Sequence, residues 1–315
     1  MAYQILDLGA LNKNTSTGYA INNCGQIVGW VDSPTQPNTL GAPVPFLWAQ
    51  GAMETLPLTG NARYGQAFDL NGRGEIVGNA YNGTTTDAIR WIGGSGGMMQ
   101  KLPFVGDDAN GRSINCCGMV AGDGATTTHS NCQAWCEPGG RLNPLPSNNP
   151  NVLQTDRYSR AYGINGRGQI VGGSDTGNPI FFPAAFAAPA VGIHACLWDK
   201  GIPQDLGTLH PNEGSEAYGL NGQKHVVGRS GNNAFLWRNG AMTNLGAGAA
   251  YNINAGGAIV GDSFLWQHGI RNSLMSLLPA NSGWTDLKGR DINDHGDIVG
   301  TGVHNGNTRA FLMWQ

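Results

Sequence analysis

The sequence predicts an all-β chain folded as a seven-bladed β-propeller with four-stranded antiparallel blades. Three observations carry the prediction. A nine-residue phrase recurs seven times along the chain. Each recurrence is followed by an apolar segment that carries a Trp. The chain also begins with the piece that its last repeat lacks.

The phrase is Ile/Leu-Asn-x-x-Gly-x-Ile/Val-Val-Gly or a close variant, first seen from Ile21 to Gly29. Its Asn falls at positions 22, 71, 115, 165, 221, 254 and 293. A Gly stands seven residues after each Asn. Strand A ends at the Asn. The Asn-x-x-Gly turn then reverses the chain, because Asn starts turns and Gly accepts positive φ. The fifth repeat has Lys224 in place of the middle Gly, and Asn221-Gly222 is expected to supply an alternative turn. Strand B is the Ile-Val-Gly segment. Strand C carries the Trp, as in Pro45-Phe46-Leu47-Trp48 and Ala234-Phe235-Leu236-Trp237. A Gly turn leads to strand D, such as Met242 to Gly246. Repeats of roughly 45 residues with four short strands stack as propeller blades, which bury both faces of each sheet. A pair of β-sandwich domains is the competing architecture.

The ends fit a closed ring in one domain, residues 1–315. The last repeat stops at Phe311-Leu312-Met313-Trp314-Gln315, with strand C but no strand D. Residues 3–9 read as a strand D that precedes any strand A. Pairing them with 288–315 completes the last blade and removes an exposed sheet edge.

Composition agrees. Of 315 residues 50 are Gly and only 12% are charged, and 18 Lys+Arg against 21 Asp+Glu leave a net charge of −3. Such a chain is neither a solvated disordered chain nor a collagen. It has no basic face for nucleic acid and no apolar run of the ~18 residues a membrane span needs. No signal peptide opens the sequence, which predicts a cytoplasmic protein, or an exported one whose leader has been removed. Six cysteines are present, and Cys116, Cys117, Cys132 and Cys136 fall close together. A local disulfide, a metal site or free thiols fit that spacing. The vicinal pair lacks the two-residue gap of a zinc knuckle.

The pattern A-x-x-I-N-x-x-G-x-I-V-G followed by A-F-L-W-x-x-G-x-M-x-x-L-G resembles the bacterial "extracellular repeat, HAF family" proteins over essentially the whole chain. The name-giving tripeptide survives in part as His194-Ala195-Cys196, Asn233-Ala234-Phe235 and Arg309-Ala310-Phe311. The resemblance implies a propeller and an exported protein, and no transferable reaction. WD-repeat and kelch signatures are absent.

Function is expected in departures from the repeat, since the repeated residues serve the fold. Three residues before each Asn the sequence has Tyr19, Phe68, Tyr162, Tyr218 and Tyr251, but Arg112 and Arg290 in repeats three and seven. Two residues before it, small residues dominate, but Asp69 and Asp291 stand in repeats two and seven. These charges predict either ion pairs between blades or an anion-binding, acid–base group near the channel. Five residues before the Asn the positions read Thr17, Gln66, Asn110, Arg160, Glu216, Ala249 and Lys288, a mixed ring suited to an asymmetric ligand. Arg160 and Lys288 are expected to add positive potential there.

The connection 173–193 of repeat four is long and apolar. Its Phe181, Phe182 and Phe186 are expected to lid a pocket near Arg160 or Tyr162, or to bind a second protomer. His194 stands at its end. His210 with Glu213 and Glu216 is the best acid–base neighbourhood and the candidate catalytic set. No G-x-S-x-G, H-E-x-x-H or phosphate loop occurs, and no cofactor is indicated. The leading expectation is a propeller that binds one small molecule at the mouth of its channel. The alternatives are a hydrolase, lyase or cyclase using the same pocket, and a glycan-binding module. The repeated aromatic positions read as buried, which counts against the last.

Overall fold

A computed structural model describes residues 3–11, 15–32, 42–103, 108–126, 129–146, 157–177 and 189–315. The opening strand is β1 (Gln4–Asp7). Repeats one to six then each supply their own strands A to D, and repeat seven supplies A to C. Repeat one forms β2 (Ser16–Ile21), β3 (Ile27–Asp32), β4 (Pro43–Ala49) and β5 (Ala52–Thr55). Repeat two forms β6 (Tyr64–Leu70), β7 (Ile76–Tyr81), β8 (Thr86–Ile92) and β9 (Met98–Lys101). Repeat three forms β10 (Asp108–Ile114), β11 (Val120–Thr126), β12 (His129–Glu137) and β13 (Gly140–Arg141). Repeat four forms β14 (Ser159–Ile164), β15 (Ile170–Asp175), β16 (Ile193–Asp199) and β17 (Ile202–Asp205). Repeat five forms β18 (Ser215–Leu220), β19 (Val226–Ser230), β20 (Asn233–Arg238) and β21 (Ala241–Ala247). Repeat six forms β22 (Ala250–Ile253), β23 (Ile259–Gly261), β24 (Phe264–Gln267) and β25 (Ile270–Ser273). Repeat seven forms β26 (Trp284–Ile292), β27 (Ile298–His304) and β28 (Asn307–Trp314).

The described strands fall into six sheets, against the seven separate blades that the repeat count predicts. The chain divides into two compact units, residues 1–102 with 258–315 and residues 103–257.

In the first unit, β2 to β5 form one antiparallel sheet in chain order, and β6 to β9 pair in the same sequence. The sheet of repeat seven is β26-β27-β28-β1. Its fourth strand comes from the other end of the chain, with Gln4 opposite Trp314 and Asp7 opposite Phe311. Leu8 and Tyr3 on either side of β1 are buried, so apolar burial adds to the ladder in holding this strand. The core lies between neighbouring repeats. Val28 and Leu56 of repeat one pack with Ile76, Ile89 and Trp91 of repeat two. Val299 and Ala310 of repeat seven pack with Ile27 and Phe46 of repeat one.

The second unit repeats the scheme with β10 to β13, β14 to β17 and β18 to β21. Ala121 and Leu142 pack with Ile170 and Trp198, and Val171 and Leu197 pack with Val226 and Phe235. Strand-C indoles reinforce the stacking. Trp198 donates to the Asn143 carbonyl at 2.6 Å, one repeat back, as Trp91 does to Pro57 in the first unit at 2.8 Å. Arg157 is fully buried and donates to the carbonyls of Leu145 and Asp175, a structural role that no repeat position foretells.

The repeat Asn is a staple between repeats as well as a turn residue. Asn165 Oδ1 accepts the N–H groups of Arg167 and Gln169 at 3.0 and 3.1 Å, which closes its own turn. Its Nδ2 donates to the carbonyl of Asn221 at 3.1 Å. Asn115 reaches Asn165, and Asn221 reaches Asn254, in the same way. In the first unit Asn293 reaches Asn22, and Asn22 reaches Asn71. A buried amide with both ends satisfied in this way explains why the position never varies among the repeats.

The turn of repeat five departs from expectation. Lys224 takes the conformation that Gly takes elsewhere, at φ 65°, and its N–H reaches the Asn221 carbonyl at 3.1 Å. Asn221-Gly222 supplies no separate turn there. The bonds of the Asn side chain over-determine the turn and hold a non-Gly residue in the left-handed region.

Candidate functional site

Strands A carry the candidate site. Their spacing is tight. A Cβ on Gly163 would stand 2.8 Å from the Tyr218 carbonyl oxygen, and one on Gly219 would stand 2.6 Å from that of Tyr251. Consecutive strands A therefore approach backbone to backbone within the second unit, which is why small residues dominate two places before the Asn. Where a polar side chain stands instead, it reaches the next backbone. Ser113 Oγ accepts Ile164 N–H at 3.3 Å. In the first unit Asp291 accepts Ile21 N–H at 2.8 Å through Oδ2 and Ile292 N–H at 2.8 Å through Oδ1. Asp69 accepts its own neighbour Leu70 N–H in the same manner. These carboxylates serve as backbone acceptors, a role the sequence reading did not foresee.

The residue three before the Asn is a β-bulge. The strand A to strand B register skips Tyr19, Phe68, Arg112, Tyr162, Tyr218 and Arg290. A bulge leaves its residue out of the ladder and re-aims the side chain. All seven residues of this class, Tyr251 included, are partly exposed. This corrects the expectation that the repeated aromatics are buried. Neighbouring rings touch: Tyr162 meets Tyr218 edge-on at 5.3 Å, Tyr218 lies 5.7 Å from Tyr251, and Tyr19 lies 5.6 Å from Phe68.

In the second unit this wall holds a charged network. Asp123, on β11 opposite Asn110, is 1% exposed and central to it. Its Oδ1 accepts Arg112 Nε at 2.7 Å, and its Oδ2 faces Arg160 Nε at 3.4 Å. Cys132 donates to the same Oδ2 at 3.3 Å. Burial and the Asp123 charge push the Cys132 thiol up to about 11, so it is a donor and no thiolate at neutral pH. The Arg160 guanidinium also lies over the Tyr158 ring, 5.2 Å from its centre. Burial alone would lower Arg112, but the paired carboxylate of Asp123 outweighs it and holds the guanidinium charged.

Beside this pair stands Glu216. Tyr162 donates to its Oε1 at 3.3 Å and Tyr218 to its Oε2 at 3.2 Å. Gly173 makes the space for it, since a Cβ there would meet Glu216 Cγ at 3.0 Å. Burial raises the Glu216 carboxyl above its ordinary range, against the lowering effect of Arg160 and the two tyrosines. Burial likewise raises Tyr158, Tyr162 and Tyr218, so all three hydroxyls stay protonated. The wall thus offers a guanidinium pair, a carboxyl and three partly exposed rings within one unit.

The other predicted residues lie apart from it. His210 is exposed and meets Glu213 only through its backbone N–H, at 3.1 Å. Glu213 also accepts the Ser230 hydroxyl at 2.6 Å, so it ties down the turn before β18. Glu216 faces the tyrosines instead, and the structure does not bring the expected triad together. His194 pairs through Nδ1 with Asp205 at 2.9 Å across the β16–β17 hairpin. Burial pushes the Asp205 carboxyl up, but the bonds from His194 and Gly207 bring it below its ordinary range. In the first unit Lys288 is exposed and stands 3.8 Å from the exposed Asp286, while Arg290 is partly buried on β26. Phe181, Phe182 and Phe186 lie outside the described residues. None of the six cysteines forms a disulfide.

Asp123 and Tyr158 are not among the residues the sequence singles out, and Cys132 is singled out only as one of the clustered cysteines. Its position gave Asp123 no distinct signal: it follows the repeat Gly, where other repeats have Trp30, Asn79, Gly173, Arg229 and Thr301, and repeat six has a second acid, Asp262. Two cavities in the second unit lie elsewhere. One of about 120 Å³ is lined by Gln133, Leu142 and Arg157, and one of about 320 Å³ by Trp135, Pro138 and Arg141. Among the described residues no cluster of three or more His, Cys, Asp or Glu is set to hold a metal ion. No described helix is long and apolar enough to cross a membrane.

No family model matches the chain, and no curated protein matches it. Solved structures do. A catalytically inactive virginiamycin B lyase from Staphylococcus aureus, crystallised with quinupristin, aligns at a TM-score of 0.57 and 11% identity over 99% of each chain. The β-propeller domain of the trilobed protease from Pyrococcus furiosus, described as having an open velcro topology, aligns at 0.62 and 11% identity over 96% of this chain and 93% of that one. At such identities the likeness is one of fold, and that fold is the β-propeller.

Proposed function

We propose that the chain is a seven-bladed β-propeller of the HAF repeat kind that binds one small polar molecule on the strand-A wall of its second unit. Seven sets of strand segments and the seating of β1 on β28 support the blade count and the closure. The observation that carries the binding reading is Asp123 holding Arg112 and Arg160 beside a Glu216 clamped by two tyrosine hydroxyls. The fold does not require this network, because the other repeats build the same strands without it. Partly exposed rings with a few fixed polar groups are what a small-molecule site needs.

The test is a thermal-shift and calorimetric screen of small polar metabolites and oligosaccharides, run on the parent, Arg160→Met and Tyr218→Phe. A ligand that loses at least tenfold in affinity in both variants, with melting temperatures kept, supports the site. Hits that bind all three proteins alike reject it.

Glu216 favours a second reading, an enzyme in which that carboxyl moves a proton. A carboxyl raised by burial and set beside a guanidinium is poised for such a transfer. Turnover of a bound ligand by the parent and its loss in Glu216→Gln, with binding retained, would separate an enzyme from a binder.

A further inference from the structure

The seven repeat turns, six of them Asn-x-x-Gly and that of repeat five Asn-x-x-Lys, expose their two middle residues in every repeat. The Asn side chain and the turn backbone close each turn, and the middle side chains vary from repeat to repeat, some of them bonding across to the next turn as Asn23 does to Asp294 at 2.9 Å. They read Asn23-Cys24, Gly72-Arg73, Cys116-Cys117, Gly166-Arg167, Gly222-Gln223, Ala255-Gly256 and Asp294-His295. Repeat three alone places two thiols there. Asn115 Oδ1 holds that turn by accepting Cys117 N–H at 3.0 Å and Met119 N–H at 2.9 Å. The two sulfurs stand 3.9 Å apart, and both residues are exposed. The adjoining turn of repeat four puts Gly166 beside Cys116, where a Cβ would lie 3.3 Å from Cys116 Sγ. The absent side chain leaves room beside that sulfur.

We propose that Cys116 and Cys117 form a vicinal dithiol site for trivalent arsenicals. A monosubstituted arsenical R–As=O condenses with both thiols. Two As–S bonds form, the As=O bond breaks, and the oxygen leaves with the two thiol protons as water. Arsenic stays trivalent, so the step needs no oxidant. Both sulfurs sit on one rigid turn, so the second bond forms within the molecule and strengthens capture by roughly a hundredfold or more over a single thiol. The four remaining thiols are poorly placed for it. Cys24 is on a turn of the other unit, Cys196 is buried, Cys132 is hydrogen-bonded to Asp123, and Cys136 is partly buried and faces the Pro138 carbonyl. This site is independent of the strand-A wall.

Phenylarsine oxide is the probe, added to the folded full-length chain. One equivalent is expected to add to the intact mass and to protect two thiols from Ellman's reagent. 2,3-Dimercaptopropanol should reverse it where 2-mercaptoethanol does not. Cys116→Ser and Cys117→Ser should each weaken binding by about a hundredfold or more, and Cys24→Ser should leave it unchanged. These surface substitutions should leave the melting temperature in place, which shows that the turn is intact. Equal tight binding by Cys117→Ser, or no protection of the parent thiols, would overturn the proposal.

Discussion

Asp291 Oδ2 accepts the backbone N–H of Ile21 at 2.8 Å, across 270 positions of sequence. The same carboxylate takes Ile292 N–H, and the residue is 7% exposed. Asp291→Ala leaves two N–H groups in a buried place without this acceptor. Each such group costs about 1–3 kcal/mol, so we expect a loss of about 3 kcal/mol in urea denaturation. Asp291→Asn keeps an acceptor oxygen and should lose less. Equal stability of Asp291→Ala and parent would show that this link does not hold repeats seven and one together.

Lys224 bears backbone strain that Gly would relieve. At φ 65° a residue with a Cβ is disfavoured by about 1 kcal/mol. Its ammonium stands 3.5 Å from Asp199, but both groups are well exposed and such a pair contributes little. Lys224→Gly is therefore expected to stabilise the chain by about 0.5–1 kcal/mol, read from the denaturation midpoint. A destabilised variant would mean that the side chain does more than the turn requires.

Removing residues 1–9 takes away β1, with the buried Tyr3 and Leu8. β28 then becomes an open sheet edge beside exposed apolar surface. We expect aggregation, or a large fall in melting temperature with loss of cooperativity. A monodisperse deletion variant that melts like the parent would refute the closing role of β1.

Glu216 makes stability depend on pH. Burial holds its carboxyl above the ordinary value, so the folded chain binds this proton more tightly than the unfolded chain does. The contribution is complete below the unfolded carboxyl pKa, about 4.3, and is lost as pH rises through the higher folded value. Glu216→Gln mimics the protonated form and removes that titration. Its melting temperature should match the parent near pH 4 and exceed it at pH 8. An offset that stays constant across this range would show that Glu216 does not titrate abnormally.

How much of this was legible beforehand differs between elements and site. The turns were legible because their chemistry is local. Asn followed three residues later by Gly specifies a reversal wherever it falls, and hairpins such as Lys200-Gly201 and His268-Gly269 take positive φ at both residues. Even there Lys224 was misread. The Asn side-chain bonds that hold it are part of the turn, and one of them ends on the neighbouring repeat at Asn254.

The site was legible only in outline. Arg112, Arg160 and Glu216 stood out at strand-A positions beside the repeated Tyr162 and Tyr218, and the structure does gather them. Asp123 sits on strand B and enters only through its cross-strand place opposite Asn110. His210 and Glu213 were grouped with Glu216 on closeness in sequence. The entry into β18 separates them, because Glu213 binds the turn and Glu216 points toward the tyrosines.

By itself the sequence determined the repeat, the strands of each copy, the turns that join them save the detail at Lys224, and the pairing of the two chain ends. Each follows from short-range chemistry copied seven times: the period-two strand, Asn at a turn, Gly at positive φ. Only the tertiary structure decided that the strand-A aromatics are partly exposed, that Asp69 and Asp291 bind backbone N–H groups, and that one buried carboxylate joins two arginines. Those outcomes depend on how closely one strand A approaches the next and on a bulge that turns a side chain out of its ladder. Distances across neighbouring repeats set them, and no period within a single repeat encodes those distances.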